Sequence, residues 1–303
     1  MKNFKKKIKI NIFKIIRFMF QPVIKWSGSK RPIAQDIVDL FPREINNYYE
    51  PFCGGASVMR CLLDNIKENK IKVNGNIVCS DINKDLINLW NAIKTSPDAV
   101  SLHYDKLWRE LNRTEDKAVK RAYFEEIRDR LNKEHNPLDF MFIMRTTTNG
   151  MPRYNKNGEF NNSFHITRDG IRPDKLSKII TEWSDFLNEY DVIFLNMPYT
   201  IMLDNAKEDD LLYLDPPYSH TKGMYFGGIH EGFLFNYLRH LNENNIKWLL
   251  SYDGISGNVD NTYDVPIDLY KEHKYIKSGN SSFKRTIGKS NDSIVYESLY
   301  KNY

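Results

Sequence analysis

The sequence predicts an α/β fold in which a central sheet is flanked by helices and interrupted by an inserted, mainly helical region. Two observations predict it: short apolar segments alternate with helical segments at both ends of the chain, and this alternation is absent from about residue 96 to 170. With 303 residues, 41% hydrophobic and 27% charged, the chain can form a sizeable buried core. This composition excludes a disordered or fibrous protein.

Charge is distributed unevenly along the chain, although the formal net charge is only +5. The first 35 residues contain ten lysines and arginines and no acidic residue, which leaves 34 basic and 39 acidic residues in the remainder. A basic N-terminal arm on a slightly acidic body indicates a polyanion as a binding partner without identifying it. We therefore separate residues 1–22 as a basic leader.

Several classes of protein are excluded by patterns that the sequence lacks. Its three cysteines form neither a CxxC pair nor a disulfide framework, so we expect a reducing, cytoplasmic location. The histidines show no spacing typical of a zinc site, and we predict no metal. Lys14 and Arg17 interrupt the apolar run near the N-terminus, and no apolar span is long enough for a membrane helix. We therefore expect a soluble protein that is neither exported nor membrane-bound.

The first alternating part predicts a strand, a glycine loop, a helix and a second strand that ends in an acid. In chain order we predict a helix from residue 32 stopped by Pro42, a strand over 47–50, a loop with Gly54 and Gly55, a helix to Ile66, a strand over 76–81 and a helix over 86–93. This order is the general plan of a site for a nucleoside cofactor.

The pattern changes at about residue 96. Residues 97–135 are charged and helical, and a polar, loop-like run follows to residue 164. The alternation then resumes with a helix around 175–187, strands over 191–195 and 211–214, a helix over 233–242, a strand over 247–252 and a basic C-terminal segment. We therefore predict one domain split into residues 23–95 and 171–303, with residues 96–170 inserted between its halves.

Asp215-Pro216-Pro217-Tyr218 is the sharpest chemical signal, because it directly follows an apolar strand, where ligands bind in open α/β sheets. An exocyclic amine is a poor nucleophile, since its lone pair is delocalised into the ring. The Asp215 carboxylate and the Pro216 carbonyl can accept its two N–H bonds and localise that pair, and Tyr218 can stack on the base. A tight turn that caps the strand is the structural alternative. The strand context favours a catalytic site.

A cofactor pocket is predicted by three further features. Gly54 and Gly55 let backbone amides approach a ligand closely, and Asp81 ends the next strand, where an acid can accept both hydroxyls of a ribose. Trp26 can form a wall of the pocket, and the Lys30 ammonium can pair with a carboxylate. Taken singly, these segments also fit turns, and Asp81 also fits a helix N-cap.

Taken together and in this order, the motifs resemble the Dam-type, α-class adenine-N6 DNA methyltransferases. The segments that carry the resemblance are KWSGSK at 25–30, EPFCGG at 50–55, SDINKDLINLWN at 80–91 and YLDPPY at 213–218. Residues 149–164 are similar to the recognition region of that family, and residues 278–292 to its closing segment. Two departures are SGSK, where Gly-Gly before the lysine is commoner, and GGAS, where alternating glycines are usual. The resemblance begins at about Val23 and does not include the leader.

The resemblance implies a Rossmann-like methyltransferase sheet with a target-recognition domain at 96–170, S-adenosylmethionine as cofactor and double-stranded DNA as partner. It implies that adenine is flipped out of the duplex and methylated directly on N6, without a covalent intermediate. Cys53 is then a packing residue. The resemblance leaves open a cognate restriction endonuclease that acts separately. It places catalysis at Asp215, Pro216, Pro217 and Tyr218, and cofactor binding at Trp26, Lys30, Glu50, Phe52, Gly54, Asp81 and Asp215.

DNA contacts are predicted in the insertion and in the basic C-terminal segment. Arginine and asparagine can read guanine and adenine edges, which makes Arg145, Asn149, Arg153 and Asn155 candidates, with a solvated polar loop as the alternative. Lys284 and Arg285 are candidates for phosphate contacts. Two other functions remain open: N4-cytosine methylation, because Asp-Pro-Pro-Tyr can hold either amine, and a non-catalytic DNA-binding protein that retains the fold.

Overall fold

The computed structural model describes residues 20–203, 205–217, 231–280 and 294–303. All but the last three residues of the predicted leader therefore lie outside the described residues. Three predicted site residues also lie outside them: Tyr218 of the catalytic segment, and the candidate phosphate contacts Lys284 and Arg285.

A mixed sheet forms the centre of the fold. The described strands are β1 Glu44–Ile45, β2 Tyr48–Glu50, β3 Lys72–Val73, β4 Ile77–Asp81, β5 Ile193–Asn196, β6 Leu211–Leu214, β7 Lys247–Tyr252, β8 Ile255–Ser256, β9 Val259–Asp260, β10 Glu272–Asn280 and β11 Ile294–Lys301. Strands β5, β4, β2, β6 and β7 lie side by side in that order and run parallel. Strand β11 is antiparallel to β7, and β10 is antiparallel to β11.

The strand order places a ligand site at the middle of this sheet. From the central strand β2 the chain adds β4 and β5 on one side, and it then adds β6 and β7 on the other. In open α/β sheets the crevice for a ligand lies where the strand order reverses, at the carboxyl ends of the strands. That point lies between β2 and β6, and the antiparallel β11 extends the sheet beyond β7.

The helices cover the sheet and build the inserted region. They are α1 Ala34–Val38, α2 Ser57–Lys67, α3 Lys84–Thr95, α4 Pro97–Leu111, α5 Lys117–Glu134, α6 Pro137–Thr146, α7 Pro173–Glu189, α8 Tyr199–Leu203 and α9 Glu231–Glu243. Helix α3 begins two residues before the predicted start at Leu86, because the Asn83 side chain caps it by accepting from the Leu86 amide at 3.1 Å.

The inserted region shares its apolar core with the sheet. One cluster of buried side chains runs from β4 and α3 into α4, α5 and α6, and it includes Leu86, Tyr104 and Phe140. At its centre, Trp90 lies 5.0 Å from Trp183 between ring centroids. The helices of the insertion therefore pack directly against the predicted catalytic part. The domain boundaries at residues 96 and 170 stay a prediction.

Three further features concern the classes of protein considered from the sequence. No helix in the described ranges is long and apolar enough to cross a membrane. Within the same ranges, no three His, Cys, Asp or Glu side chains come together in a way that could hold a metal ion. Cys53, Cys61 and Cys79 are buried free thiols. Cys53 belongs to the apolar core, where a packing residue is expected.

Candidate active site

Three acidic residues lie at one edge of the sheet. Glu50 is the last residue of β2, Asp81 is the last residue of β4, and Asp215 directly follows β6. Because β2 lies between β4 and β6 and all three run parallel, their carboxyl ends lie side by side. The structure thus brings together acids that are up to 165 residues apart in the chain, at the point where the strand order reverses.

The glycine loop is built against Trp26. Gly54 has a φ of +45°, and a Cβ there would lie 2.5 Å from Nε1 of Trp26. A Cβ on Gly55 would lie 3.1 Å from Cβ of Trp26. The Gly54 amide donates to Oδ2 of Asp81 at 3.2 Å, and its carbonyl accepts from Trp90 at 3.0 Å. Three of the predicted cofactor residues, Trp26, Gly54 and Asp81, therefore form one unit.

Asp81 is held by backbone donors. Besides Gly54, the Asn83 amide donates to its Oδ1 at 2.9 Å. Burial raises the pKa of Asp81 to about 6, while these hydrogen bonds act in the opposite direction. The following residue, Ile82, is 49% exposed, and the Asn196 side chain holds this turn by donating to the carbonyls of Asp81 and Ile82. Sequence reasoning missed Ile82 and Asn196. An apolar residue directly after a strand-ending acid was the available signal for Ile82.

The Lys30 ammonium is buried and binds other groups of the protein. Its side chain is 5% exposed, and Nζ donates to the Gly28 carbonyl at 3.2 Å. It forms ion pairs with Oδ1 of Asp215 at 2.9 Å and Oε2 of Glu297 at 3.3 Å. Burial alone would lower the pKa of Lys30, but the charges of the two carboxylates raise it overall. The structure brings the predicted site residue Lys30 against Asp215, and it adds Glu297, which no sequence motif marks.

Glu50 is a buried acid beside the catalytic segment. It is 3% exposed and accepts a hydrogen bond from the Tyr48 hydroxyl at 2.7 Å. Burial raises its pKa to about 8, the Asp215 charge adds to this effect, and hydrogen bonds from Tyr48 and the Met59 amide oppose it. Burial thus favours the protonated form of Glu50, and its side chain lies inside the fold. Phe52, the other predicted cofactor residue nearby, is partly buried and contacts Tyr199 with ring centroids 5.2 Å apart.

The catalytic segment is described as far as Pro217. Asp215 is 17% exposed, Pro216 is buried and Pro217 is partly exposed. Ahead of them, the Tyr213 and Ser251 hydroxyls are hydrogen-bonded at 2.6 Å between β6 and β7. The segment thus begins from a rigid, buried strand and presents a partly exposed carboxylate.

The predicted recognition loop touches both cofactor segments. The Ser27 amide donates to the Gly150 carbonyl at 3.1 Å, and a Cβ on Gly150 would lie 2.5 Å from Cβ of Lys25. Farther along the loop, Nδ2 of the Asn83 side chain donates to the Tyr154 hydroxyl at 2.6 Å. The loop around residues 148–154 therefore lies directly against the segments that hold Trp26 and Asp81.

The predicted DNA-contacting residues differ in their surroundings. Asn149 and Arg153 are exposed, whereas the Asn155 side chain stabilises its own turn by donating to Glu159 at 2.7 Å. Arg145 is 5% exposed and donates to the Pro22 carbonyl, and burial lowers its pKa to about 10. Arg145 lies inside the protein because the last turns of α6 are buried on all sides.

A basic cluster lies next to the recognition loop. It consists of Lys25, His165 and Arg168, which lie close enough to affect one another electrostatically. Burial and the charges of Arg168 and Arg145 lower the pKa of Lys25. Burial and the charges of Arg168 and Lys25 lower the pKa of His165. Among the described residues, no acidic side chain forms an ion pair with Lys25 or Arg168, so this cluster is suited to an anionic partner.

Comparison with known proteins agrees with this geometry. A family model described as D12 class N6 adenine-specific DNA methyltransferase matches residues 26–286. The chain is 27% identical to the type II methyltransferase M.FokI of Planomicrobium okeanokoites, over 98% of this chain but 45% of that protein, so it spans about half the length of that relative. It is 26% identical to the type II methyltransferase M.MjaIII of Methanocaldococcus jannaschii, over 93% and 99% of the two chains. It is 31% identical to a DNA adenine methylase of Vibrio cholerae, over 65% and 64%.

Proposed function

Because the chain belongs to the D12 class N6 adenine-specific DNA methyltransferase family, we propose that the sheet edge formed by Glu50, Asp81 and Asp215 is its active site. Methyl transfer from S-adenosylmethionine to DNA adenine is the reaction of this family. The observation that carries the assignment is the position of Asp215-Pro216 beside the unit of Gly54, Trp26 and Asp81, at the point where the strand order reverses. This neighbourhood supports an amine acceptor at Asp215 next to a nucleoside site at Asp81.

The residues present fit the adenosyl part of S-adenosylmethionine. Gly54 and Gly55 let the Trp26 side chain pack directly on the loop backbone as the proposed wall of the pocket, because a Cβ at either glycine would meet Trp26. Asp81 accepts backbone hydrogen bonds and, like any carboxylate, has acceptor capacity beyond them for ribose hydroxyls. Ile82 supplies an exposed apolar surface for a purine. The cofactor, when bound, supplies a methyl group on a positively charged sulfur.

Asp215 and Pro216 are the proposed hydrogen-bond acceptors for the target amine. The Asp215 carboxylate and the Pro216 carbonyl accept the two N–H bonds of adenine N6, which localises its lone pair for attack on the methyl group. When this nitrogen accepts the methyl group that the bound cofactor would supply, it would become positively charged and would then give one of its protons to solvent water. The negative charge of Asp215, paired with Lys30 at 2.9 Å, stabilises the positive charge that develops on this nitrogen. In the sequence-based prediction Tyr218 stacks on the base.

No covalent enzyme intermediate is part of this proposal. The one cysteine of the glycine loop, Cys53, is buried in the core, and burial raises the pKa of its thiol. A protonated, enclosed thiol is a poor nucleophile. Direct transfer requires instead that the base leave the duplex, because its amine is unreachable within the stack.

The recognition loop and the basic cluster form the proposed DNA-binding face. Asn149 and Arg153 are exposed on the loop that lies against Lys25, so their side chains are available to base edges. Lys25 and Arg168 are the proposed phosphate contacts, since basic side chains at the surface bind the DNA backbone. Arg145 has no direct contact in this proposal, because its guanidinium binds the Pro22 carbonyl. It supports the fold beneath the loop.

A restriction endonuclease that acts separately is the partner we propose in addition to double-stranded DNA. M.FokI and M.MjaIII are named type II methyltransferases, which supports a place for this chain in such a pair. The free, buried cysteines support the cytoplasm as the location.

Substitution of Asp215 tests the proposed active site. Asp215→Ala should reduce the methyl transfer rate to background, because the amine loses its charged acceptor, while affinity for duplex DNA stays within a few fold. Asp98→Ala, an exposed position on α4, is the matched control and should keep full activity. Transfer is measured with labelled S-adenosylmethionine and affinity by fluorescence anisotropy. Full activity of Asp215→Ala would disprove the role assigned to this residue.

A further inference from the structure

At least three acceptors lie around the Lys30 ammonium. They are the Gly28 carbonyl at 3.2 Å, Oδ1 of Asp215 at 2.9 Å and Oε2 of Glu297 at 3.3 Å. An ammonium group has three N–H donors and no acceptor, so inside the protein it needs acceptors of this kind. One of the three, Glu297, belongs to no motif that the function has used.

The sheet brings Glu297 to the catalytic edge from the far end of the chain. Strand β11 runs antiparallel to β7, and Ser298 pairs with Tyr252, the last residue of β7. Because β7 is parallel to β6, the carboxyl end of β7 lies at the same edge as Asp215. Glu297, one residue before Ser298, therefore lies beside the catalytic segment. Its side chain is 16% exposed, so the ion pair with Lys30 is largely shielded from water.

Two carboxylates share one ammonium in this arrangement. The Lys30 ammonium lies 2.9 Å from Oδ1 of Asp215 and 3.3 Å from Oε2 of Glu297, so it binds both side chains at once. If Glu297 were absent, that N–H would lose its acceptor inside a nearly closed site, where an unsatisfied donor is costly. The ammonium would then be drawn toward the Asp215 carboxylate, and the position in which that carboxylate meets the amine would change.

We propose that Glu297 is a positioning residue for methyl transfer: by holding one N–H of Lys30, it fixes where Lys30 contacts Asp215. The Asp215 carboxylate, which accepts the adenine amine, is thereby kept in place. Glu297 touches neither the base nor the cofactor in this role and acts through Lys30. The inference rests on the proposed function of Asp215.

Kinetics of a Glu297 variant test this role. Glu297→Ala should lower the single-turnover rate constant by about tenfold or more, as expected for a displaced catalytic group. Its dissociation constants for S-adenosylmethionine and duplex DNA, and its melting temperature, should stay close to those of the unmodified enzyme. In Glu297→Gln the amide oxygen still accepts a hydrogen bond but carries no charge. Its single-turnover rate constant should therefore lie between those of Glu297→Ala and the unmodified enzyme. Glu272→Ala is the matched control, because Glu272 bridges Lys274 and Lys301 on the neighbouring strands, and it should keep the full rate.

A second measurement is independent of activity. NMR of ¹⁵N-lysine-labelled enzyme should show a slowly exchanging ammonium signal for Lys30, identified by its loss in Lys30→Arg. Exchange should accelerate in Glu297→Gln, which serves if Glu297→Ala does not fold, and remain slow in Glu272→Ala. The inference is overturned if the Glu297 variants keep the unmodified rate and exchange, or if they lose rate only together with binding or folding. If the unmodified enzyme methylates no adenine, the proposed function fails, while the exchange data still test the contact.

Discussion

Replacing Gly54 with alanine tests whether the glycine loop and Trp26 form the cofactor pocket. At a φ of +45°, an L-residue is strained, which costs about 1–2 kcal/mol in the left-handed region. The new Cβ would also lie 2.5 Å from Nε1 and 2.9 Å from Cδ1 of Trp26, so the indole must move. Overpacking of this kind costs about 1–3 kcal/mol. Together the two effects predict a loss of about 2–5 kcal/mol in the free energy of unfolding.

The same substitution should weaken cofactor binding. A displaced Trp26 no longer forms the wall of the pocket, and a shifted Gly54 amide loses its hydrogen bond to Asp81. We expect affinity for S-adenosylmethionine to fall by at least about tenfold, or about 1.4 kcal/mol. Isothermal titration calorimetry measures the affinity, and urea denaturation followed by fluorescence measures the free energy of unfolding.

Gly279 offers a matched control for backbone strain alone. It also has a positive φ, +122°, but a Cβ there meets no atom within 4 Å. Gly279→Ala should therefore lose stability without losing affinity for S-adenosylmethionine. The reasoning is refuted if Gly54→Ala binds the cofactor as well as the unmodified enzyme and loses less than about 2 kcal/mol in the free energy of unfolding.

Two further predictions concern the buried acid and the basic cluster. The folded pKa of Glu50, about 8, lies above its ordinary value of 4.5, so its contribution to stability is full below pH 4.5 and is lost as pH rises to about 8. Glu50→Gln removes this pH-dependent loss. Between pH 4.5 and about 8, the free energy of unfolding of the variant should therefore rise relative to that of the unmodified enzyme, as measured by urea titrations. A difference that stays constant with pH would contradict this prediction. For the basic cluster, Lys25→Ala and Arg168→Ala should each reduce the slope of log affinity for DNA against log salt by about 1. Arg172→Ala, whose guanidinium is already paired with Asp174, should leave the slope unchanged, and equal slopes in all three would exclude phosphate contacts by the cluster.

The position of the proposed active site at one sheet edge could be predicted from the sequence because its signals are local. Asp81 ends one apolar strand and Asp215 directly follows another. Because parallel strands have their carboxyl ends at the same edge of a sheet, the sequence alone predicts that these residues lie at one edge. The glycine loop follows the same logic. The predicted strand over 76–81 is confirmed as Ile77–Asp81, and the predicted strand over 211–214 has the same bounds in the structure.

The remaining features of the site depend on contacts between distant parts of the chain. Glu297 reaches Lys30 only because β11 returns antiparallel beside β7, and no local pattern around residue 297 predicts that pairing. Arg145 has the residue type and neighbours of a DNA contact. Its burial is set by how α6 packs among the other helices, which a basic residue in a polar run does not reveal. The hydrogen bond between Tyr154 and Asn83 is likewise a product of tertiary packing.

The identity of the methylated base tests the central claim most directly. The full chain is incubated with duplex DNA and S-adenosylmethionine labelled in the methyl group, and the DNA is then digested to nucleosides and analysed by mass spectrometry. The account predicts that the label appears in N6-methyl-2′-deoxyadenosine and that Asp215→Ala abolishes it. Label in N4-methyl-2′-deoxycytidine, or cofactor and DNA binding without any transfer, would contradict it.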